Sequence, residues 1–260
     1  MLFRSTSGAS RTLDPAAAPT ISFLSSKSAL ITVPTFHPYA QQALEKLLSA
    51  NAGKLAATPN WIIDLRRNDG GADSTYAALL AAIMVNPRRE VGAEFLSTPA
   101  NIANTGRVCG IYSPGDENCV AQISALSDAM EAVPSGSYAR PPGATQDVEE
   151  VSEHRAPAQA PQRVAILIDT PCGSSCEQFL LSARQSYNVK LFGRSTFGSL
   201  DYSNLRPQDL PSGKRMLWYA TSRSARLPHL PVDAAGIPPD VFLPPPVDAS
   251  GYAEIGRAHV

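Results

Sequence analysis

Two segments of this chain share the same order of buried strand, turn and helix. The run 61–65 (WIIDL) is short and apolar, and a helical pattern over 74–85 follows it after a glycine turn. The run 163–169 (RVAILID) is followed in the same way by a helical pattern over 176–186 and by an apolar run over 189–193. Because crossover helices place the strands that they join in parallel, this alternation predicts an α/β fold with a parallel sheet.

Weaker patterns lie before and after these segments. Residues 22–33 are predicted to form a strand or hairpin, and residues 37–50 a helix with proline in its first turn. After Pro87 the pattern loosens. Toward the end of the chain, 215–228 predicts a strand pair and 236–245 a final edge segment.

Length and composition set the expected limits of the folded domain. A chain of 260 residues with 43% hydrophobic residues can bury one large core, which we expect to span 22–245 after a poorly ordered, truncated segment 1–21. The proline-rich stretch 133–161 is expected to be a surface insertion. The tail 246–260 is excluded from the fold, because one frame of a common sequencing adapter encodes its last seven residues, 254–260 (EIGRAHV).

Charge and hydropathy exclude some classes of partner. The 22 basic and 23 acidic residues give a net charge of −1, so no strong field attracts a phosphate backbone, and nucleic acid is not an expected partner. No apolar run approaches the roughly 18 to 20 residues that cross a bilayer, and the first residues lack the apolar core of a signal peptide. The cysteines form two close pairs, Cys109 with Cys119 and Cys172 with Cys176. Disulfides in an exported protein and buried free thiols are both open interpretations.

A serine stands where the second strand turns into its helix. Ser174 precedes Glu177 by three residues, which is the pattern of a capping box. The same place suits a nucleophile, because the free amides and the dipole of a helix N-terminus stabilise an oxyanion. Both interpretations stay open from these residues.

The first segment ends in two glycines. Gly70 and Gly71 close the run IIDLRRNDGG, and they predict a tight turn with positive φ. They also leave room for a substrate carbonyl to approach a backbone N–H, as in an oxyanion hole. Asp64 and Arg66 in the same run are expected to form an ion pair.

Four segments, in this order, resemble the C-terminal-processing (tail-specific) and tricorn-core serine peptidases, across roughly residues 22–245. The matches are DLRRNDGG (64–71), AILIDTPCGSSCEQFLLSA (165–183), GRSTFGSLDYSN (193–204) and AAGIPPDV (234–241). The resemblance implies an α/β fold of the ClpP/crotonase type, built from repeated ββα units. It also implies a polypeptide substrate, no metal and no cofactor.

The resemblance assigns roles to several residues. The family nucleophile lies three positions before the glutamate at the helix start, which is Ser174 here. The oxyanion donors would be the backbone N–H groups of Ser175 and of Gly71 or its neighbour Gly70. The implied chemistry is peptide-bond hydrolysis through an acyl-enzyme.

The family's usual proton acceptor is missing from its place in this chain. Ser199 occupies the position of the lysine used by the bacterial branch, and Thr32 that of the histidine used by the tricorn-like branch. His37, just past the early strand, is the internal candidate for the base, although a histidine before a helix is also typical of a surface residue. Asp233 falls where the tricorn-like glutamate would lie, or is simply a surface-loop aspartate. A base from an upstream segment and outright loss of catalysis stay open as well.

These residues predict an exported, periplasmic or secreted, serine endopeptidase. Thr32, Ser199, Asp201 and Tyr202 are further candidates to line its cleft. The alternative is an inactive homologue that binds peptides or small apolar ligands in the same cleft, which the absent lysine and Thr32 favour. An acyl-CoA enzyme of the crotonase type is a more distant alternative, since it shares the fold but not the serine turn.

Overall fold

The computed structural model describes residues 2–3, 18–143, 149–152 and 160–245. The tail 246–260, with the suspected adapter residues, lies outside the described residues. So do most of the segment 1–21 and parts of the stretch 133–161. Among the described residues, no helix is both long enough and apolar enough to span a membrane.

The elements are numbered in chain order. The strands are β1 Leu2–Phe3, β2 Thr20–Phe23, β3 Ser28–Thr32, β4 Asn60–Asp64, β5 Arg88–Val91, β6 Ala93–Leu96, β7 Tyr138–Ala139, β8 Glu149–Ser152, β9 Arg163–Ile168, β10 Val189–Gly193, β11 Tyr202–Asp209, β12 Met216–Ser224 and β13 Val241–Phe242. The helices are α1 Gln41–Ala50, α2 Ala52–Ala56, α3 Asp73–Ile83, α4 Pro99–Gly106, α5 Val108–Tyr112, α6 Glu117–Glu131 and α7 Ser175–Ala183. A short 3-10 helix, Pro38–Ala40, precedes α1.

The chain divides into two compact units. Among the described residues, the first, here the parallel-sheet unit, comprises 18–90, 151–152, 160–200 and 232–245. The second, the antiparallel-sheet unit, comprises 2–3, 91–143, 149–150 and 201–231.

The parallel-sheet unit contains a six-stranded sheet in the order β13-β10-β9-β4-β3-β2. Five strands of this sheet, β13, β10, β9, β4 and β3, are parallel to one another, and β2 is antiparallel to β3. Of the strand or hairpin predicted over 22–33, the structure shows the hairpin, and the predicted parallel sheet and α/β class are confirmed. Each of the central strands β3, β4, β9 and β10 buries an apolar side chain that is 0% exposed: Ile31, Ile63, Ile166 and Leu191. This burial explains why the strands read as continuous apolar runs.

The parallel strands bring their following loops to one edge of this sheet. The loops after β3, β4, β9 and β10 carry residues 33–37, 65–72, 169–174 and 194–200. The expected ion pair between Asp64 and Arg66 is present, with Oδ2 and Nη2 2.6 Å apart. Ligand sites in parallel sheets form at this carboxyl edge, and the serine and glycine motifs both lie there.

The antiparallel-sheet unit is built around β12, which pairs with β11, β6 and β1. The predicted strand pair over 215–228 was wrong, because 216–224 is one strand whose partner is β11. The chain turns after Ser224, whose N–H donates to the carbonyl of Asp201 at 2.7 Å. The Asp201 carboxylate also holds Arg226 in the turn, at 3.0 Å.

Helices α4, α5 and α6 occupy a region where the sequence pattern was loose. In the 15 residues of α6, Leu126 and Met130 are the buried ones, so no clear apolar period marks this helix. Its start is set by Asp116, whose carboxylate accepts the N–H groups of Asn118 and Cys119 at 2.9 and 3.2 Å. The stretch 133–161, expected to be a surface insertion, contributes β7 to the sheet through its pairing with β6.

Candidate active site

Ser174 adopts a backbone conformation that side-chain-bearing residues rarely occupy. Its φ is 54° and its ψ is −123°, and the residue is partly exposed. Positive φ places the Cβ too close to the backbone, at a cost of about 1–3 kcal/mol for a non-glycine residue. The surrounding structure must therefore hold this turn in place, and such strain is concentrated at functional sites.

Glu177 stabilises this turn through several hydrogen bonds. The side chain is 0% exposed, and its Oε2 accepts the N–H groups of Ser174 at 3.2 Å and Ser199 at 2.9 Å. Its Oε1 accepts the N–H of Gly198 at 2.7 Å and the hydroxyl of Thr196 at 2.5 Å. The glutamate half of the capping box is therefore present, and it also ties the loop after β10 to the serine turn.

The loop after β10 rests in turn on the segment that contains Asp233. Glycine is required at Gly236, because a Cβ there would lie 2.4 Å from the carbonyl oxygen of Thr196. The carboxylate of Asp233 accepts the N–H of Leu200 at 2.6 Å. In this position Asp233 caps the loop that carries Ser199.

The glycine loop packs directly on the serine turn. Asn68 is buried, donates to the carbonyl of Val33 at 2.9 Å and accepts the N–H of Gly70 at 2.9 Å. Gly70 has a φ of 91°, and a Cβ on it would lie 2.5 Å from the oxygen of Gly173 and 3.1 Å from the Cβ of Ser174. The positive φ that the double glycine predicts is thus present, and close packing forbids any side chain here.

Two backbone N–H groups beside the serine are available as donors. Gly71 N–H and Ser175 N–H have no acceptor among the residues that the structure describes. The hydroxyl of Ser175 donates to the carbonyl of Gly71 at 3.0 Å, so the two peptides are linked. The N–H of Gly70, in contrast, is occupied by Asn68. Of the two glycines, Gly71 is the one whose donor is free to meet an oxyanion.

His37 lies against the glycine loop. A Cβ on Gly71 would be 2.1 Å from the carbonyl carbon of Phe36 and 2.3 Å from the nitrogen of His37. The imidazole is 32% exposed, its Nε2 is 3.8 Å from Oδ2 of Asp69, and it stacks on Tyr39 at a centroid distance of 5.2 Å. The fold therefore brings this histidine to the same edge of the sheet as the serine turn.

Asp69 was not singled out as a functional residue from the sequence. Its Oδ1 accepts the hydroxyl of Thr35 at 2.9 Å. Burial alone would raise the pKa of Asp69, but the nearby His37 side chain and the hydrogen bond from Thr35 outweigh it, and the pKa is lowered. Its position beside the double glycine could have marked Asp69 in the sequence. Its contact with His37, 32 positions earlier in the chain, forms only in the tertiary structure.

The other predicted site residues have different surroundings. Thr32 is the last residue of β3 and pairs with Asp64 across the sheet, and Ser199 is exposed. Asp201 and Tyr202 belong to the antiparallel-sheet unit. The carboxylate of Asp201 is 1% exposed and pairs with Arg226, whereas Tyr202 is 57% exposed on β11.

Both cysteine pairs are disulfides. Cys109 is bonded to Cys119 in the antiparallel-sheet unit, and Cys172 to Cys176 around Ser174. The alternative of buried free thiols is therefore not what the structure shows.

The mixed α/β fold defines the class of this protein as ClpP/crotonase-like. The chain belongs to peptidase family S41, whose model matches residues 27–243. This match confirms the resemblance to C-terminal-processing peptidases that the four motifs indicate.

Solved structures share this fold at low sequence identity. Mature CPAF in complex with lactacystin is 15% identical, with a TM-score of 0.59 over 88% of this chain and 50% of that one. The photosystem II D1 C-terminal processing protease is 14% identical, with a TM-score of 0.52 over 96% of this chain and 50% of that one. The chain thus spans about half the length of these proteins. No curated protein matches the sequence.

Proposed function

We propose that this protein is a serine endopeptidase whose nucleophile is Ser174. The observation that carries the proposal is the strained, partly exposed conformation of Ser174 at the start of α7. The hydroxyl would attack a peptide carbonyl and expel the amine to form an acyl-enzyme, which water then hydrolyses.

The negative oxygen of the tetrahedral intermediate would be held by the N–H groups of Gly71 and Ser175. Both donors are without an acceptor among the described residues. Removing one such donor typically costs about 10²–10³ in kcat. We assign the hole to Gly71 rather than Gly70, because Asn68 occupies the N–H of Gly70.

His37 is the proposed base that accepts the proton of Ser174. Its backbone touches the glycine loop, which itself packs on Ser174, and its Nε2 is 3.8 Å from the Asp69 carboxylate. An imidazole can titrate near neutral pH, and a carboxylate partner fixes its orientation. Asp233 is the weaker candidate for that partner, since it accepts a backbone N–H of the Ser199 loop.

The family and the disulfides support a class of substrate and a type of compartment. Membership of a peptidase family supports a polypeptide substrate. Two disulfides support an oxidising compartment, either the periplasm or the outside of the cell.

A fluorophosphonate probe tests the nucleophile, because it reacts with activated serines. We expect the wild type and the exposed-surface control Ser49→Ala to be labelled and Ser174→Ala to stay unlabelled. His37→Ala should reduce the labelling rate by about 10²–10⁴, whereas His229→Ala, in a surface turn of the other unit, should not. Labelling that survives Ser174→Ala would reject the assignment.

An inactive homologue that binds peptides is the second candidate. It is favoured by the two positions where the family carries its base, since Thr32 and Ser199 hold hydroxyl groups there. A wild type that binds peptides in calorimetry but is never labelled would establish this candidate over the peptidase.

A further inference from the structure

We infer that the Cys172–Cys176 disulfide is a positioning element for the nucleophile, which holds Ser174 in its strained conformation. The inference rests on the proposed role of Ser174. It assigns a part in the reaction to two cysteines that would otherwise only stabilise the fold.

The disulfide encloses the serine turn symmetrically. Cys172 lies two residues before Ser174 and Cys176 two residues after it. Cys172 is anchored to the end of β9, where its N–H donates to the carbonyl of Asp169 at 2.9 Å. Cys176 lies in the first turn of α7, and its N–H donates to the carbonyl of Gly173 at 3.0 Å. The bond therefore joins the strand end to the helix start across the nucleophile.

Relaxation of Ser174 requires the two cysteines to move relative to each other. A non-glycine residue leaves positive φ by rotating the peptide planes on both sides, which changes the path of the chain through the turn. The Cα atoms of Cys172 and Cys176 are 5.4 Å apart, and a disulfide tolerates separations only up to about 7 Å. An extended chain would place residues four apart at about 13 Å. The bond thus excludes the opened forms of the turn.

The backbone hydrogen bonds of Ser174 restrain its N–H group and its carbonyl group. The N–H of Ser174 donates to Ser199 and Glu177 at 3.1 and 3.2 Å, and its carbonyl accepts the N–H of Gln178 at 3.0 Å. The two longer bonds share one N–H group, so each is weaker than a linear one. A covalent link adds a restraint that cannot break when substrate displaces a neighbour.

The sulfurs are shielded from solvent. Both Cys172 and Cys176 are 0% exposed and pack in the core cluster of the parallel-sheet unit with Phe179 and Ile168. A soluble thiol cannot attack this bond without local opening. The geometry fits a permanent constraint rather than a redox switch.

The second disulfide supplies a matched control. Cys109–Cys119 joins α5 to α6, closes a longer loop with a separation of 10 residues, and lies in the antiparallel-sheet unit. Removing it also costs one disulfide and leaves the serine turn intact.

The test compares C172A/C176A with C109A/C119A and the wild type. The rate constant for fluorophosphonate labelling is measured on folded protein below each thermal midpoint, together with kcat and KM on fluorescein-labelled casein. We expect C172A/C176A to label about 10- to 100-fold more slowly, with kcat reduced and KM nearly unchanged, because misplacement of the nucleophile affects the chemical step. C109A/C119A should label within about twofold of wild type, because its change lies in the antiparallel-sheet unit, which does not contain the serine turn.

Several outcomes would overturn the inference. Folded C172A/C176A that labels as fast as C109A/C119A would do so, and so would a raised KM with kcat unchanged. A C172A/C176A protein that does not fold would also overturn it, since the bond would then serve the fold as a whole rather than the turn.

A separate readout distinguishes this failure from that of the proposed function. If the wild type is never labelled, the peptidase proposal fails, and hydrogen exchange then decides the inference. The amide of Gln178, which donates to Ser174, should exchange faster in C172A/C176A and at the wild-type rate in C109A/C119A. Equal exchange in the two variants would reject the inference by itself.

Discussion

Replacing Glu177 by glutamine measures how strongly one buried carboxylate holds the serine turn. The substitution keeps the size and shape of the side chain but exchanges one accepting oxygen for a donating NH₂ group. Each oxygen of Glu177 accepts two donors, at 2.9 and 3.2 Å on one side and at 2.5 and 2.7 Å on the other. The single oxygen of the glutamine can accept only one of these two pairs of donors. The other two donors must then face the NH₂ group, which is itself a donor.

The expected loss of stability follows from those two bonds. A hydrogen bond to a charged group contributes about 1.5–3 kcal/mol, so losing two costs about 3–6 kcal/mol. This is a large part of a typical unfolding free energy of about 5–15 kcal/mol. At about 2–4 °C per kcal/mol for a domain of this size, the melting temperature should fall by about 6–24 °C.

Chemical denaturation and calorimetry check this value against a matched control. Glu45→Gln makes the same chemical change on the exposed face of α1, where Glu45 accepts one side-chain bond from Gln41 at 2.9 Å. Its stability should stay within about 0.5 kcal/mol of wild type. Fluorophosphonate labelling should slow in Glu177→Gln, because the N–H groups of Ser174 and Ser199 depend on the same carboxylate.

The reasoning is refuted if Glu177→Gln unfolds within about 1 kcal/mol of wild type, which is less than one charged hydrogen bond contributes. The turn would then be held by packing and by the disulfide rather than by the carboxylate.

Further predictions concern the glycine loop, the buried ion pair and acid stability. Gly70→Ala should lower the free energy of unfolding by more than about 2 kcal/mol, because its Cβ would lie 2.5 Å from a carbonyl oxygen. The control Gly53→Ala, in open space on α2, should raise that free energy by about 0.5–1 kcal/mol in the same denaturation assay. Asp201→Asn should cost about 3–5 kcal/mol of unfolding free energy, because it removes the negative charge that pairs with the buried Arg226; a loss under about 1 kcal/mol would contradict this. The lowered pKa of Asp69 means that its contribution, about 0.2–1 kcal/mol for a partly exposed pair, is present above the ordinary value of 3.8 and is lost as pH falls through the folded pKa. Asp69→Asn should abolish that acid-dependent loss in unfolding measured from pH 5 to pH 2.

Local sequence patterns were enough to predict the frame of the site. The strand over 189–193 was predicted with the bounds that the structure has, and the strand of Arg163–Ile168 to within one residue. Ser174 could be placed at a helix start because the apolar run, the turn and the helical period are all local signals. The positive φ at Gly70 and Gly71 follows in the same way from the residue type.

Partners across the chain could not be predicted from such patterns. The strand 216–224 looked like half of a hairpin, but its partner precedes it at 202–209, because an alternating pattern does not encode which strand lies beside it. Helix α6 escaped prediction because it buries few apolar side chains, so its period is weak.

The sequence by itself determined the parallel α/β architecture, the family and the serine at the strand-to-helix turn, because these depend on periodicity, residue type and short spacing. Only the tertiary structure decided which N–H groups near Ser174 are free. That choice depends on Asn68, whose amide bridges a carbonyl 35 positions away and the N–H of Gly70. The tertiary structure also decided that His37 lies near Asp69, and that Glu177 and a disulfide restrain the strained backbone of Ser174. These contacts join distant loops at one edge of the sheet, and only folding brings them together.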